Sequence, residues 1–397
     1  MPKSSPNLAC QQILHPPAHS IGSEECMIEF TPKVVCWNVA FSNDGKLLAA
    51  CYGSPDNCVR IWYLQDDGSF SLVSTLKGLH TRTVRCCSFA PVSKFYTIAT
   101  ASFDGTVGIW EDTSQGGDNV ISDDWDCIAQ LEGHDSECKC VVWNASSTLL
   151  ATCGRDKTVW LWDCCLTGNI GSGGDDGEFE CLTILNGHEG DVKSVIFAAS
   201  HGQFGDGDEI CISASYDNSI RVWAEDGGEW YCAKVLTDSH TLWNLAVSPG
   251  STRLISGSAD GSIGIYKCYT SLEKEELMLD DKELELERSP NQGFWKFVGR
   301  LPHAHQSEVM SISYSSARTG HGRFASCGDS LKIYREAAES TSDHPLIGVH
   351  TESKQMDLNT VQWHPYNGSI LATGGYDGCV RIWKYGSVKE KKNPEIP

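Results

Sequence analysis

The chain is poor in positive charge. Over 397 residues, 31 Lys and Arg stand against 52 Asp and Glu, a formal net charge of -21. Such a surface repels phosphate backbones and anionic headgroups at long range, so neither direct nucleic-acid binding nor membrane binding is predicted. No window approaches the roughly 18 apolar residues of a membrane span, and MPKSSPNLACQQILHPPAHS lacks the continuous apolar stretch of a signal peptide. A cytosolic protein with reduced thiols is the expectation. Catalytic motifs are also missing: there is no GxxxxGK[ST], GxSxG, HExxH or GxGxxG following a strand. Although 19 cysteines occur, no Cys-x-x-Cys pair does. They fall mainly inside apolar, strand-like runs (Cys86 with Cys87, Cys138 with Cys140, Cys153, Cys211) and read as small buried hydrophobes rather than as a zinc or iron–sulfur site. No catalytic residue, metal site or cofactor is predicted.

What is present is a core and a repeat. Hydrophobic residues make up 40% of the chain and aromatics 9%, enough for a sizeable globular core. An Asp is followed six residues later by an aromatic at Asp56 to Trp62, Asp104 to Trp110, Asp156 to Trp162, Asp217 to Trp223, Asp260 to Tyr266 and Asp377 to Trp383. A seventh unit, FASCGDSLKIY, places Asp329 only five residues before Tyr334, a turn one residue tighter. Upstream of most of these Asp residues lies a His, often after Gly: His80, His134, His188, His240 and His305, with His350 further displaced. Between them run alternating segments such as TVRCCSFA and CKCVVWNA, each followed by a second apolar run such as LLATCG, so each unit supplies four short strands.

A period of roughly 40 to 60 residues, a Gly-His signal and a terminal Trp resemble the WD40 family, whose repeats each form a four-stranded propeller blade. The resemblance implies an all-β, seven-bladed propeller spanning 1–397. Its blades are expected at 34–65, 80–112, 131–163, 185–225, 237–268, 301–336 and 350–385, with an acidic insertion at 271–293 and a flexible tail at 386–397. After Trp383 the chain offers little more than WKYG, so the last blade lacks its fourth strand; ACQQIL, residues 9–14, has the character to supply it and close the ring. The insertion mixes Leu and Met with many acids, and both a solvated loop and an amphipathic docking arm fit it.

One His–Asp pairing per blade suggests a structural hydrogen-bond network, because active sites are usually single and asymmetric. Asp104, Asp156, Asp217, Asp260, Asp377, His134 and His188 are therefore assigned structural roles. Binding residues are expected where side chains reach a face. The column just before each turn Asp reads Pro55, Phe103, Arg155, Tyr216, Ala259 and Tyr376; the column opening each innermost strand reads Trp37, Arg85, Lys139, Lys193, Trp243, Met310 and Asn359. If both reach one face, Arg155, Arg85, Lys139, Lys193, Trp37, Trp243, Phe103, Tyr216 and Tyr376 form a basic, aromatic rim on an acidic protein. Such a rim suits an acidic partner or one presenting a carboxylate and an aromatic anchor. The alternative is that the cations pair with neighbouring acids and merely solvate the face.

The stretches GLHTRTVR, ASFDGTVGIW, LEGHDSECKCVVWNASSTLLATCGRDKTVWLWD, DVKSVIFAASH with ISASYDNSIRVW, and FASCGDSLKIY narrow the match. They look like the WD40 subunit of the cytosolic iron–sulfur protein assembly (CIA) machinery, with ACQQILHPPAHS and the shortened sixth turn in the same pattern. That resemblance implies a non-catalytic scaffold, located in the cytoplasm with the nucleus as a second compartment. Its implied partners are the other CIA targeting-complex subunits, an iron-only-hydrogenase-like iron–sulfur carrier and iron–sulfur apoprotein clients receiving [4Fe–4S] clusters. It also implies that the functionally important exposed Arg falls on Arg155. A substrate receptor in a ubiquitin-ligase or chromatin complex is the competing class.

Overall fold

The computed structural model describes residues 7–15, 34–114, 124–166, 177–269, 294–316, 322–335, 346–350 and 356–386. The insertion at 271–293, residues 387–397 of the tail, and most of the Gly- and Asp-rich stretches 113–124 and 167–178 lie outside them. In chain order the strands are β1 (Asn7–Leu14); β2 (Cys36–Phe41), β3 (Leu47–Tyr52), β4 (Val59–Leu64) and β5 (Phe70–Leu76); β6 (Val84–Phe89), β7 (Thr97–Ser102), β8 (Val107–Asp112) and β9 (Trp125–Leu131); β10 (Cys138–Trp143), β11 (Leu149–Gly154), β12 (Val159–Cys165) and β13 (Glu178–Leu185); β14 (Val192–Ala199), β15 (Glu209–Ser215), β16 (Ser219–Asp226) and β17 (Glu229–Thr237); β18 (Leu242–Val247), β19 (Arg253–Ser258), β20 (Ile263–Tyr269) and β21 (Phe294–Leu301); β22 (Ser311–Tyr314), β23 (Arg323–Cys327), β24 (Leu331–Arg335) and β25 (Leu346–His350); and β26 (Leu358–Trp363), β27 (Ile370–Gly375) and β28 (Val380–Gly386). Among the described residues there is no helix, and hence none long and apolar enough to cross a membrane.

These strands make seven four-stranded antiparallel sheets, the blades. Six are consecutive quartets; the seventh has the order β1-β28-β27-β26. As the sequence predicts, the N-terminal strand completes the last blade: β1 pairs with β28 from Asn7↔Gly386 to Leu14↔Val380, with a bulge between Cys10 and Gln12. Gln12 also fastens this strand to blade one, its amide donating to the Phe70 carbonyl at 2.9 Å and accepting from the Phe70 N–H at 2.8 Å.

The first strand of each blade lies innermost, each packing on its neighbours, with β26 against β2 completing the circle. Side chains of the inner strands reach across to the backbone of the next. Asn38 accepts from Cys87 N–H (3.1 Å), Ser194 from Leu245 N–H (3.2 Å), Asn244 from Ile312 N–H (2.9 Å), Ser311 from Val361 N–H (3.3 Å) and Thr360 from Val39 N–H (3.3 Å). At the same register in blades two and three, the Cys86 and Cys140 thiols donate to the Val141 and Val195 carbonyls at 3.6 and 3.7 Å. Two cysteines therefore close a ring of cross-blade contacts that amides and hydroxyls make elsewhere, as weaker donors.

Second strands such as LLAACY and TIATAS are buried on both faces, which explains their near-continuous apolar or small composition. The terminal aromatic of each third strand packs between blades; Trp383 and Tyr266 are fully buried, each such burial stabilising by about 1.5–3 kcal/mol.

Candidate functional site

The Asp of each repeat sits in the turn between the second and third strands, and in five of them its short side chain caps the turn itself. Oδ1 accepts from the backbone N–H two residues on: Thr106 for Asp104 (3.0 Å), Thr158 for Asp156 (3.1 Å), Ser219 for Asp217 (2.9 Å), Ser262 for Asp260 (3.1 Å) and Cys379 for Asp377 (3.1 Å). The residue between is left-handed throughout: Asn57, Gly105, Lys157, Asn218, Gly261 and Gly378 all have positive φ. Lys157, at φ 71°, occupies a slot that Gly or Asn fills in those other blades.

Behind the turn, blades two, three, four and six carry a buried chain of hydrogen bonds. In blade three the Trp162 indole donates to Thr152 Oγ1 (3.0 Å); the ionised Asp156 can only accept, so His134 Nδ1–H donates to its Oδ2 (2.7 Å), and Nε2 of the neutral ring takes the Thr152 hydroxyl hydrogen (2.9 Å). Blade four repeats this with Trp223, Ser213, His188 and Asp217 at 2.9, 2.8 and 2.8 Å. In blade six His305 bridges Ser326 and Asp329 at 2.8 and 2.6 Å despite the shorter turn. Blade two is looser: His80 Nδ1 faces Thr106 Oγ1 at 3.1 Å, with Asp104 at 3.4 Å. Both imidazole nitrogens are engaged in all four networks, with the rings almost wholly excluded from solvent.

The titration behaviour follows. Burial opposes the charged form of Asp217, but the Ser219, Glu189 and His188 hydrogen bonds outweigh it and bring the carboxyl down to about 2. Burial lowers His188 and His305 from the ordinary imidazole range despite their carboxylate partners.

The other blades substitute. Arg60 pairs with Asp56 in blade one and Arg381 with Asp377 in blade seven. In blade five, His240 is not buried as the repeat suggests: its side chain is 47% exposed, 3.3 Å from Asp260. The interior position passes to Asp238, whose side chain is fully buried, receives the Tyr266 hydroxyl at 3.0 Å and pairs with Arg300 from the outer strand.

Because the strands alternate in direction, the Asp-bearing turns and the starts of the inner strands emerge on one face. The two columns meet there as an arc over blades seven, one, two, three, four and five. Trp37 packs edge-on to Tyr376 with centroids 5.7 Å apart, and the Arg85 guanidinium lies 5.3 Å from the Trp37 ring centroid. Lys193 sits 4.1 Å from the Tyr216 centroid and 4.4 Å from that of Trp243, those rings themselves 5.8 Å apart. Burial, with the charges of Lys139 and Arg85, lowers Lys193 to about 7.

The remaining members adjoin this arrangement or lie outside it, the Lys139 ammonium being 6.0 Å from the Tyr216 centroid. Lys139 is buried and ion-paired with Asp191 of the next blade, with Glu137 at 4.0 Å. Arg155 is 59% exposed and reaches Glu137 at 3.6 Å. Phe103 is half-buried beneath Arg82, whose guanidinium lies 5.9 Å from its centroid. Pro55 is exposed, Ala259 and Met310 are half-buried, and Asn359 is buried with its amide donating to the Cys36 carbonyl at 2.9 Å. Sequence reasoning missed Arg82, 54% exposed and bonded to Glu137 at 2.9 Å, and the acids Glu137 and Asp191. The signal was available: each acid stands two residues before a Lys of the inner-strand column, on the same side of an extended chain.

No disulfide joins the cysteines of the described residues, and no group of three or more His, Cys, Asp or Glu among them is arranged to hold a metal ion.

The family model for the WD domain, G-beta repeat, matches residues 25–63, 70–111, 125–163, 179–224, 230–267 and 347–384. A Botryotinia fuckeliana protein named "Probable cytosolic iron-sulfur protein assembly protein 1" is 31% identical across 90% of this chain and 96% of its own length. The chain belongs to the WD repeat family of cytosolic iron–sulfur protein assembly proteins. A Neurospora crassa relative of the same name is 30% identical over 85% of this chain and 90% of its own. A Schizosaccharomyces pombe relative, named a "Probable cytosolic Fe-S cluster assembly factor", is 31% identical over 88% of this chain but 52% of its own length. The unmatched stretch between 267 and 347 contains the acidic insertion and blade six, whose turn is the shortened one.

Proposed function

We propose that this protein is a non-catalytic interaction scaffold of cytosolic iron–sulfur protein assembly, and that the aromatic and basic rim is the surface through which it engages partners. The similarity to named assembly proteins over nearly the whole chain carries the reading. The chemistry of the rim supports it: Trp, Tyr and Arg dominate binding hot spots, and here Trp37, Tyr376 and Arg85, and Tyr216 and Trp243, form two clusters on one face. Arg155 and Arg82 extend it outward with exposed guanidinium groups suited to a carboxylate.

In this reading [4Fe–4S] clusters are cargo held by other proteins. The partners are the remaining targeting-complex subunits, an iron-only-hydrogenase-like carrier, and client apoproteins in the cytoplasm and nucleus. Affinity purification of the tagged chain tests it: assembly subunits and a cluster-bearing carrier are expected to co-purify, and the purified scaffold is to lack iron and visible absorption. Recovery dominated by cullin or histone-modifying subunits would overturn it.

A further inference from the structure

The rim holds an amine whose chemistry the partner reading leaves unused. Lys193, Arg85 and Lys139 each stand second in an inner strand, at the point where its pairing with the second strand skips a residue: Val192 faces Ser215 and Ser194 faces Ala214, with Lys193 left over between them, and Arg85 and Lys139 are left over in the same way. A bulged residue bends the strand end and re-aims its side chain. Three cations from blades two, three and four are thereby brought to one face.

Their surroundings differ. Lys139 pairs with Asp191, and Glu137 is bonded to Arg82 at 2.9 Å. Neither Lys193 nor Arg85 has a carboxylate within ion-pairing distance among the described residues. The Lys193 ammonium lies instead against two rings, 4.1 Å from the Tyr216 centroid and 4.4 Å from that of Trp243, and the Arg85 guanidinium donates to the Trp37 carbonyl at 3.4 Å. Lys193 is thus a half-buried cation set beside other cations. Burial first, then the charges of Lys139 and Arg85, bring it down to about 7 against the opposing pull of Asp191. At pH 7 about half of the amine then carries a free lone pair, against under about a thousandth for an ordinary lysine.

We infer that Lys193 is a carbamylation site, whose uncharged amine takes up dissolved carbon dioxide to give a carbamate held by Arg85 and Lys139. The Nζ lone pair attacks the carbon, one C=O π pair moves onto oxygen as the N–C bond forms, and the nitrogen releases a proton to solvent. Amine and carbon dioxide give a carbamate anion and a proton, with no oxidant and no leaving group. Carbon dioxide fits better than an activated acyl donor on two grounds. A linear triatomic molecule needs little room beside the two rings. Its product is also an anion, which pairs with the guanidinium that lacks a carboxylate, whereas an acyl amide is neutral and gives up both ring contacts for no charge partner. The modification would replace a cation by an anion on the rim; only that consequence rests on the partner reading, and the chemistry is open to test without a partner.

The full chain is equilibrated with isotopically labelled bicarbonate near neutral pH, trapped with a trialkyloxonium salt and digested for mass spectrometry. The labelled adduct is expected on Lys193, and Lys193→Arg, with an unchanged Tm, is expected to abolish it while leaving any adduct on the terminal amine. Cyanate, an irreversible stand-in of the same linear shape, is expected to modify Lys193 at least about tenfold faster than the exposed Lys77, a preference lost when the chain is unfolded in guanidinium chloride. An adduct confined to the terminal amine, an equal adduct on other lysines, or equal cyanate rates for Lys193 and Lys77 in the folded chain would each overturn the proposal.

Discussion

Blades three and five share one repeat register and hold it by different means. Both turns are capped alike, Asp156 by Thr158 and Asp260 by Ser262. Behind Asp156 stands an enclosed chain of His134, Thr152 and Trp162. Behind Asp260 the histidine has turned outward, and a buried Asp238 held by Arg300 and Tyr266 fills its place. The local turn is thus written in three residues, whereas the interior that supports it can be built from different side chains, provided every buried polar group finds a partner.

The largest effect should come from breaking the enclosed network. Asp156→Ala leaves His134 with an unsatisfied buried donor and is expected to cost about 2–3 kcal/mol, read from the urea midpoint. Next, Arg155→Glu should leave stability within about 0.5 kcal/mol but weaken rim-dependent partner binding by about 1–3 kcal/mol, measured by calorimetry with a co-purified subunit. Insolubility of that variant would instead assign Arg155 a structural role. Asp260→Ala should cost only about 0.5–1 kcal/mol, its side chain being 30% exposed and its hydrogen bonds confined to the turn.

Acid should separate the two blade types. His188 and His305 have folded values below that of the unfolded chain. The unfolded state then takes up protons first, so their contribution is complete above about pH 6.5 and is lost as pH falls below it. Tm is expected to drop between pH 7 and 5, and less so when both residues are replaced by Gln. The smallest effect is a gain: Lys157→Gly relieves a left-handed Lys and should stabilise by about 0.5–1 kcal/mol, seen as a higher urea midpoint.

The periodicity made the ring legible, because a spacing of six between Asp and aromatic fixes a turn plus a strand, and a last blade without a fourth strand points to the N-terminus. Contacts between repeats were less accessible. Lys139 looked like an exposed rim cation, yet Asp191, in the next blade, draws it into a buried pair. Arg300 comes from the strand after the insertion, and nothing in its local sequence announces Asp238 as its partner.

The central claim is that the rim serves iron–sulfur assembly. In cells depleted of this protein, the native chain and the double variant Arg155→Glu with Lys193→Glu are supplied at equal soluble levels, and cytosolic and mitochondrial iron–sulfur enzyme activities are compared. The account predicts that the native chain restores the cytosolic activities, the variant does not, and the mitochondrial activities never change. Full restoration by the variant, or cytosolic activities that depletion leaves normal, would contradict it.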